Sequence, residues 1–379
     1  MSSIDVRDVS LVRGGRTLLE SVSLSVPEAE TLAIVGPPGA GKSLLLQVIV
    51  GLVEPTGGEV VLDERVVTGE SPRKRDLSMM FQDYALHPQR DVYDNLAFAA
   101  TLRKGRDKSA LAERIDAVAG LLALSDVQGA RPADLDEARK QRVAAGRALV
   151  RDAAGYLLDE PFAAQSDRLR PHVRSVVLQW QREQARTTIL TTSDVDEALA
   201  SADRVAVMHQ GFVHQVGTPR ELYERPADMF VAGYLGNPPM NLIPGFPEGE
   251  GVTTPLGTLP LDAVQRAVVE GREVVVVGVR PEHLSESTYG AAFAFHADVD
   301  DLEWRGRSQF AYLGYEIAPA VEEVLAEVED LVDFDLFQSF VMAELPSDRT
   351  LERGARITLG AAPQHVHLFD PVTGENLSA

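Results

Sequence analysis

The stretch GPPGAGKS, residues 36–43, sets Gly36, Gly39 and Gly41 ahead of Lys42 and Ser43 in the spacing GxxxxGK[ST], with Pro37, Pro38 and Ala40 completing the loop. Backbone N–H groups of such a loop, with the N-terminus of a helix behind it, cradle the phosphates of a nucleotide. Lys42 is placed to reach the outer phosphates and Ser43 to ligate Mg²⁺. Further along, YLLDEP (156–161) supplies two carboxylates. Apolar residues deliver Asp159 to the carboxyl end of a strand, where it can hold Mg²⁺, and Glu160 is placed to polarise an attacking water.

These residues need particular elements to position them. TLAIVG (31–36) is a short apolar run ending in glycine, and SLLLQVIVGL (43–52) follows with helical spacing, which is the strand, loop and helix order that a phosphate loop requires. GYLLDEP (155–161), TTILTTS (187–193) and DRVAVMHQG (203–211) are three more β-rich runs separated by helical or turn sequence. The alternation predicts an α/β core with largely parallel central strands. Residues 92–150 have helix-forming composition and predict an inserted helical subdomain.

Composition changes at GNPPMNLIPGFPEGEG (236–251), where four prolines and four glycines argue against a helix or a central strand. Beyond it REVVVVGVRPEHL, AAFAFHADVDD, ARITLG and QHVHLFD read as short strands of a small β-barrel or sandwich, interrupted by an acidic, helix-compatible stretch at 318–334. The expected organisation is a nucleotide-binding domain at 1–235 and a β-rich domain at 236–379.

Whole-chain properties exclude several classes. The formal net charge is −21, which disfavours nucleic acid and anionic lipid as main partners. There is no cysteine, so disulfides, thiolate metal sites and cysteine nucleophiles are excluded. The acidic start MSSIDVRDVS does not read as a secretion signal, and no apolar run reaches the ~18–20 residues that span a bilayer. A membrane role would have to come through a partner.

The chain resembles the ATP-binding subunits of ABC transporters, and more narrowly the sugar-importer type, nearly end to end. The resemblance rests on GPPGAGKS, MMFQDYALHP (79–88), QRVAAGRALVRD (141–152), LLDEP, ADRVAVMHQG, FVAGYLGNPPMNLI (230–243), VGVRPEHL and HLFDPVTGE. It implies ATP and Mg²⁺ as ligands, with Gln82 as a further Mg²⁺ contact that relays nucleotide state, and Arg13 at the position that stacks on adenine. It also implies a groove around residues 83–105 for the coupling helix of a permease. The implied partners are a second ABC ATPase subunit, two transmembrane permease subunits and, indirectly, an extracytoplasmic solute-binding protein. The implied location is the cytoplasmic face of the membrane.

Such ATPases work as dimers in which each nucleotide lies between one chain's phosphate loop and the other chain's LSGGQ signature. Here that register reads LDEAR, placing Asp136, Glu137, Ala138 and Arg139 where serine, two glycines and glutamine are expected. The switch histidine falls at Ser193, and the D-loop reads AAQS (163–166), with Ser166 in place of aspartate and Asp167 one residue late. An intact phosphate loop beside eroded γ-phosphate contacts predicts the non-consensus half of a heterodimeric pair, with weak turnover at sites formed by this chain alone. Three alternatives stand beside it: a homodimer whose variant signature works, an ATP-binding regulatory subunit without turnover, and a soluble ABC protein outside transport.

Overall fold

A computed structural model describes residues 3–101, 108–286, 290–291, 293–317, 319–332 and 334–378. The chain divides into two compact units, Met1–Pro219 and Arg220–Ala379. Residues 102–105 of the expected groove segment, and residues 318 and 333 of the acidic stretch, lie outside the described residues.

In the first unit an antiparallel sheet is formed by β1 (Ile4–Arg13), β2 (Arg16–Val26), β4 (Gly57–Leu62) and β5 (Arg65–Val66), in the order β2-β1-β4-β5. The second sheet has the order β10-β9-β3-β8-β7-β6. Its strands are β3 (Thr31–Val35), β6 (Leu77–Met80), β7 (Gly155–Asp159), β8 (Thr187–Thr192), β9 (Arg204–His209) and β10 (Phe212–Gly217). All its pairings are parallel except that of β9 with β10. The central strands β3, β7 and β8 are buried at every position, which is why they read as continuous apolar or threonine-rich runs without alternation.

The helix α1 (Lys42–Val50) follows β3, and Val6 and Val60 of the first sheet share one core with Ile34, Leu157, Ile189 and Met208 of the second and with Leu45, Leu46 and Ile49 of α1. The short α2 (Pro72–Arg75) precedes β6. The inserted helical region holds α3 (Val92–Thr101), α4 (Lys108–Leu121) and α5 (Glu137–Val150). At Gly146 of α5 a Cβ would lie 2.6 Å from a methyl of Leu96 on α3, so a side chain there would push that leucine to another rotamer. Helices α6 (Arg170–Gln184) and α7 (Val195–Ser201) complete the unit.

The second unit begins inside α8 (Pro219–Glu224) and continues through α9 (Met229–Tyr234). Met229 and Ala232 of α9 pack with Met240, Leu242, Val276 and Phe369, so α9 shares a core with residues beyond 236. Its five-stranded sheet runs β13-β12-β11-β14-β20, from β11 (Asn241–Glu248), β12 (Gly251–Thr254), β13 (Gly257–Pro260), β14 (Val275–Val279) and β20 (Val366–Phe369). A two-stranded sheet joins β15 (Phe293–Asp298) to β19 (Arg356–Ala361), and a three-stranded one joins β16 (Asp301–Arg305), β17 (Ser308–Gly314) and β18 (Phe340–Pro346). Ile243, Val277, Phe293, Leu313, Val341 and Leu359 bring all three sheets onto one core, a small barrel-like arrangement. Helix α10 (Ala263–Val269) lies between β13 and β14, and the acidic stretch forms α11 (Pro319–Val332), which buries Val321, Leu325 and Val328.

One expectation is overturned here. The proline-rich segment does contain a strand in the middle of a sheet, β11. It pairs with β14 over Asn241–Gly245 and with β12 over Phe246–Glu248, so no residue of β11 has both ladders to satisfy. Pro244 and Pro247 are tolerated because each is paired on one side only, so its missing N–H can face the unpaired side. Asn241 fills part of the remaining gap: its carboxamide donates to the Met342 carbonyl of β18 at 2.9 Å and accepts from the Met342 N–H at 2.7 Å. No described helix is long and apolar enough to cross a membrane.

Candidate functional site

The glycine loop lies between β3 and α1. Gly36 has no room for a side chain, since a Cβ there would stand 1.9 Å from the Met208 carbonyl oxygen of β9. Gly39 and Gly41 have φ of 86° and 100°, in the left-handed region that favours glycine. The chain therefore turns tightly into α1, whose first N–H groups have no intrahelical acceptor. Lys42 opens that helix and is 6% exposed. Its ammonium donates to the carbonyls of Gly36 at 2.7 Å and Pro37 at 3.1 Å.

Two carboxylates arrive from the end of β7. Asp159 is 3% exposed and accepts from the hydroxyls of Ser43 at 2.8 Å and Thr191 at 2.7 Å. Glu160 takes a left-handed φ of 48°, and its carboxylate stands 3.9 Å from the Lys42 ammonium. Burial raises the Glu160 pKa, opposed by Lys42 and by a hydrogen bond from Ser193. Burial lowers that of Lys42, opposed by Glu160 and Asp159. Ser193 therefore stands against Glu160, where the family resemblance expects an imidazole.

The structure gathers Gly36, Gly39, Gly41, Lys42, Ser43, Asp159, Glu160 and Ser193 in one place. Gln82 lies in an exposed turn just after β6, and Arg13 is exposed at the end of β1. Ser166 is exposed in the loop before α6, where its carbonyl accepts from the N–H groups of Leu169 and Arg170. The pairing of a serine hydroxyl with a buried carboxylate is an all-oxygen set of the hard kind that Mg²⁺ takes, and the cramped glycine loop leaves its backbone accessible to phosphate. The residues fit Mg²⁺ with a nucleotide phosphate chain.

The divergent signature turn opens α5. Asp136 is the N-cap, its carboxylate accepting from the Arg139 N–H at 2.7 Å. Arg139 pairs with Asp126 at 3.2 Å and Lys140 with Glu137 at 2.8 Å, so both cations are engaged beside the turn. Ala138 is half-buried and offers its carbonyl inward, to Gln165 at 3.0 Å.

Sequence reasoning does not single out Thr191, Gln141, Gln165 or Glu197. Thr191 ties the Asp159 carboxylate to the N–H of Glu160 at 3.2 Å, and Gln141 donates to the Glu160 carbonyl at 2.9 Å. Glu197 is 3% exposed, and burial pushes its pKa up to about 7. The signal that points to Thr191 is its strand: TTILTT is buried throughout, and buried threonines in a central strand need acceptors.

The ABC transporter family profile matches residues 19–163, and that of the MalK OB fold domain matches residues 236–284. The chain is 36% identical over 377 residues to the trehalose import ATP-binding protein SugC of Mycobacterium tuberculosis, covering 96% of this chain and 95% of that one. It is 34% identical over 395 residues to the sn-glycerol-3-phosphate import ATP-binding protein UgpC of Cupriavidus necator, covering both chains fully (100% and 100%). The solved structure of cbiO1 from Clostridium perfringens, part of the ABC transporter complex cbiONQ, matches with a TM-score of 0.52 at 25% identity, over 58% of this chain and 89% of that one. With a glycine loop, an acidic pair and a parallel sheet in the arrangement just described, followed by an OB-fold domain, this chain belongs to the ATP-binding subunits of ABC transporters, a family of transport ATPases that use MgATP, in its MalK-like branch.

Proposed function

We propose that this chain is the ATP-binding subunit of an importer for a sugar, polyol or related solute, and that it forms the non-consensus half of a heterodimeric ATPase pair. The importer reading is supported by end-to-end similarity to proteins named for trehalose and sn-glycerol-3-phosphate import. The heterodimer reading is carried by one observation, the first turn of α5, which presents Asp136 and Glu137 in place of a serine and a glycine.

MgATP, when bound, supplies the phosphoanhydride bond whose hydrolysis drives the transport cycle. On this chain the loop N–H groups and Lys42 would hold the phosphates, Ser43, Asp159 and Gln82 would hold Mg²⁺, Arg13 would stack on the base, and Glu160 would orient water. Glu160 is the residue placed to accept a proton, and Ser193 steadies it but has no ring nitrogen to share the task. Towards a partner's nucleotide the chain presents acids. Two like unit charges ~4 Å apart repel by ~4 kcal/mol at an effective dielectric of ~20, which is enough to oppose closure on a γ-phosphate.

A groove supports permease docking at the membrane's cytoplasmic face. A cavity of about 580 Å³, an apolar trough with a cationic wall lined by Leu52, Met79, Phe81 and Arg147 among others, includes Ala85, His87 and Phe98 of the segment expected to receive a coupling helix.

A homodimer with a working variant signature is favoured by a different observation. Asp136 spends its carboxylate on its own helix and Glu137 is paired with Lys140, so much of the charge at the tip is offset locally. ATP hydrolysis by the purified chain alone, and then together with a consensus ATPase subunit, separates the two. The heterodimer reading expects weak turnover by the chain alone and faster turnover in the mixture, and at least a tenfold gain from replacing LDEAR with LSGGQ and Ser193 with histidine. Brisk turnover by the unaltered chain would sink it.

A further inference from the structure

Gln165 is an unusual occupant of its position. It lies in the loop between β7 and α6, is 2% exposed, and carries a carboxamide into a packed interior. Its Nε2 donates to the Ala138 carbonyl in the first turn of α5 at 3.0 Å and to Oε1 of Gln141 at 2.9 Å. Gln141 in turn accepts from the Ala164 N–H at 3.1 Å and donates from its own Nε2 to the Glu160 carbonyl at 2.9 Å. Each carboxamide is oriented by a backbone partner, because only nitrogen can face the carbonyls of Ala138 and Glu160 and only oxygen can face the N–H of Ala164. Two amides thus connect the turn bearing Asp136 and Glu137 to the backbone of Glu160.

The loop is tied on its other side as well. The Gln165 carbonyl accepts from Arg170 at 3.2 Å, and the same guanidinium reaches Asp194 at 3.2 Å, the residue that caps α7 and follows Ser193. Glu160 is therefore flanked by two connections that meet at Gln165. One structural cost is evident: among the described residues, Oε1 of Gln165 is buried with no hydrogen-bond partner. The orphan acceptor offsets part of what the carboxamide contributes, so its net effect rests on the two bonds its Nε2 donates, to the Ala138 carbonyl and to Gln141.

We propose that Gln165 is a positioning residue that makes the first turn of α5 and the backbone of Glu160 respond as one body, so that nucleotide in this chain's own loop is felt at the turn it presents to a partner's nucleotide. The second half of that statement rests on the dimer geometry of the proposed function. The coupling itself is internal to one chain. It adds to the two composite sites a connection that runs through side-chain amides rather than across the dimer interface.

Hydrogen exchange of the full-length chain with and without saturating MgATP tests this. In the unaltered chain MgATP is expected to slow exchange in residues 155–165 and also in 135–142. In Q165M, which keeps length and removes both donor and orphan acceptor, slowing at 155–165 persists while that at 135–142 is lost. The dissociation constant for MgATP, from the same samples, changes by less than about threefold, which is small beside typical couplings between contacting residues. Q141M is the second variant and is expected to give the same split. Equal protection of 135–142 in both variants, or none there in the unaltered chain, would overturn the proposal. The readout needs neither turnover nor a partner, so a failure of the heterodimer reading leaves it interpretable.

Discussion

Glu197 sits almost fully buried at the start of α7, hydrogen-bonded to Thr192, with Asp194 and Glu160 adding negative potential and Arg170 relieving a little of it. Burial is the largest cause of its shift from 4.5 to about 7. The sign comes from proton counting. Between those values the folded chain holds a proton that the unfolded chain has released, so stability falls as pH rises from about 4.5 through about 7. The contribution lost is on the order of 3 kcal/mol. Denaturant unfolding of Glu197→Gln across pH 5–8 is expected to lack this decline, and a parallel decline in both proteins would contradict the assignment. At this scale the loop, Lys42, Ser43, Asp159 and Glu160 are legible in the sequence because their chemistry dictates their spacing. Thr191, Gln141 and Gln165 are not, because their roles arise from contacts between segments far apart in sequence, which no local pattern records.

Elements position the site with little tolerance. Strands β3 and β9 run side by side, and the loop leaving β3 passes so close to β9 that Gly36 meets the Met208 carbonyl. Gly36→Ala forces the loop backbone away from that oxygen, because a carbonyl in a paired strand cannot yield as a side-chain tip would. The expected cost is ~1–3 kcal/mol in thermal or denaturant unfolding, together with weaker MgATP binding. Unchanged values for both would show that the loop relaxes freely. The parallel strands are legible as short apolar runs between helices. The antiparallel sheet of β1, β2, β4 and β5 is not, because the apolar alternation of β1 is interrupted where its register shifts against both neighbours. Strand β11 departs from the sequence expectation for a different reason, since proline signals describe one residue's donors and not which edge of a strand is paired.

Across the whole molecule, the division between units falls within α8, upstream of the composition change at 236. The reason is visible in α9, whose Met229 and Ala232 pack on Met240, Leu242 and Phe369, and in Arg280, whose guanidinium donates to the carbonyls of Tyr223 and Leu235. A chain ended after Pro219 is expected to stay monodisperse and bind MgATP, whereas one ended after Leu235 exposes the apolar side of α9 and aggregates on size-exclusion chromatography. The opposite order of behaviour would show that α9 holds together without the β-rich residues C-terminal to it. Composition marks where proline and glycine accumulate, but a boundary is set by which core each helix buries into.

The contact of Asn241 with Met342 has a consequence for how the OB-fold half comes apart. The flanking strands are held by continuous ladders, but between β11 and β18 a single carboxamide, itself also donating to the Val279 carbonyl at 3.0 Å, stands in for a ladder. Across that seam the Asn241 carboxamide bridges strands whose own ladders run to other partners, so replacing it leaves closure there to the apolar packing of Ile243, Val341 and Ala343.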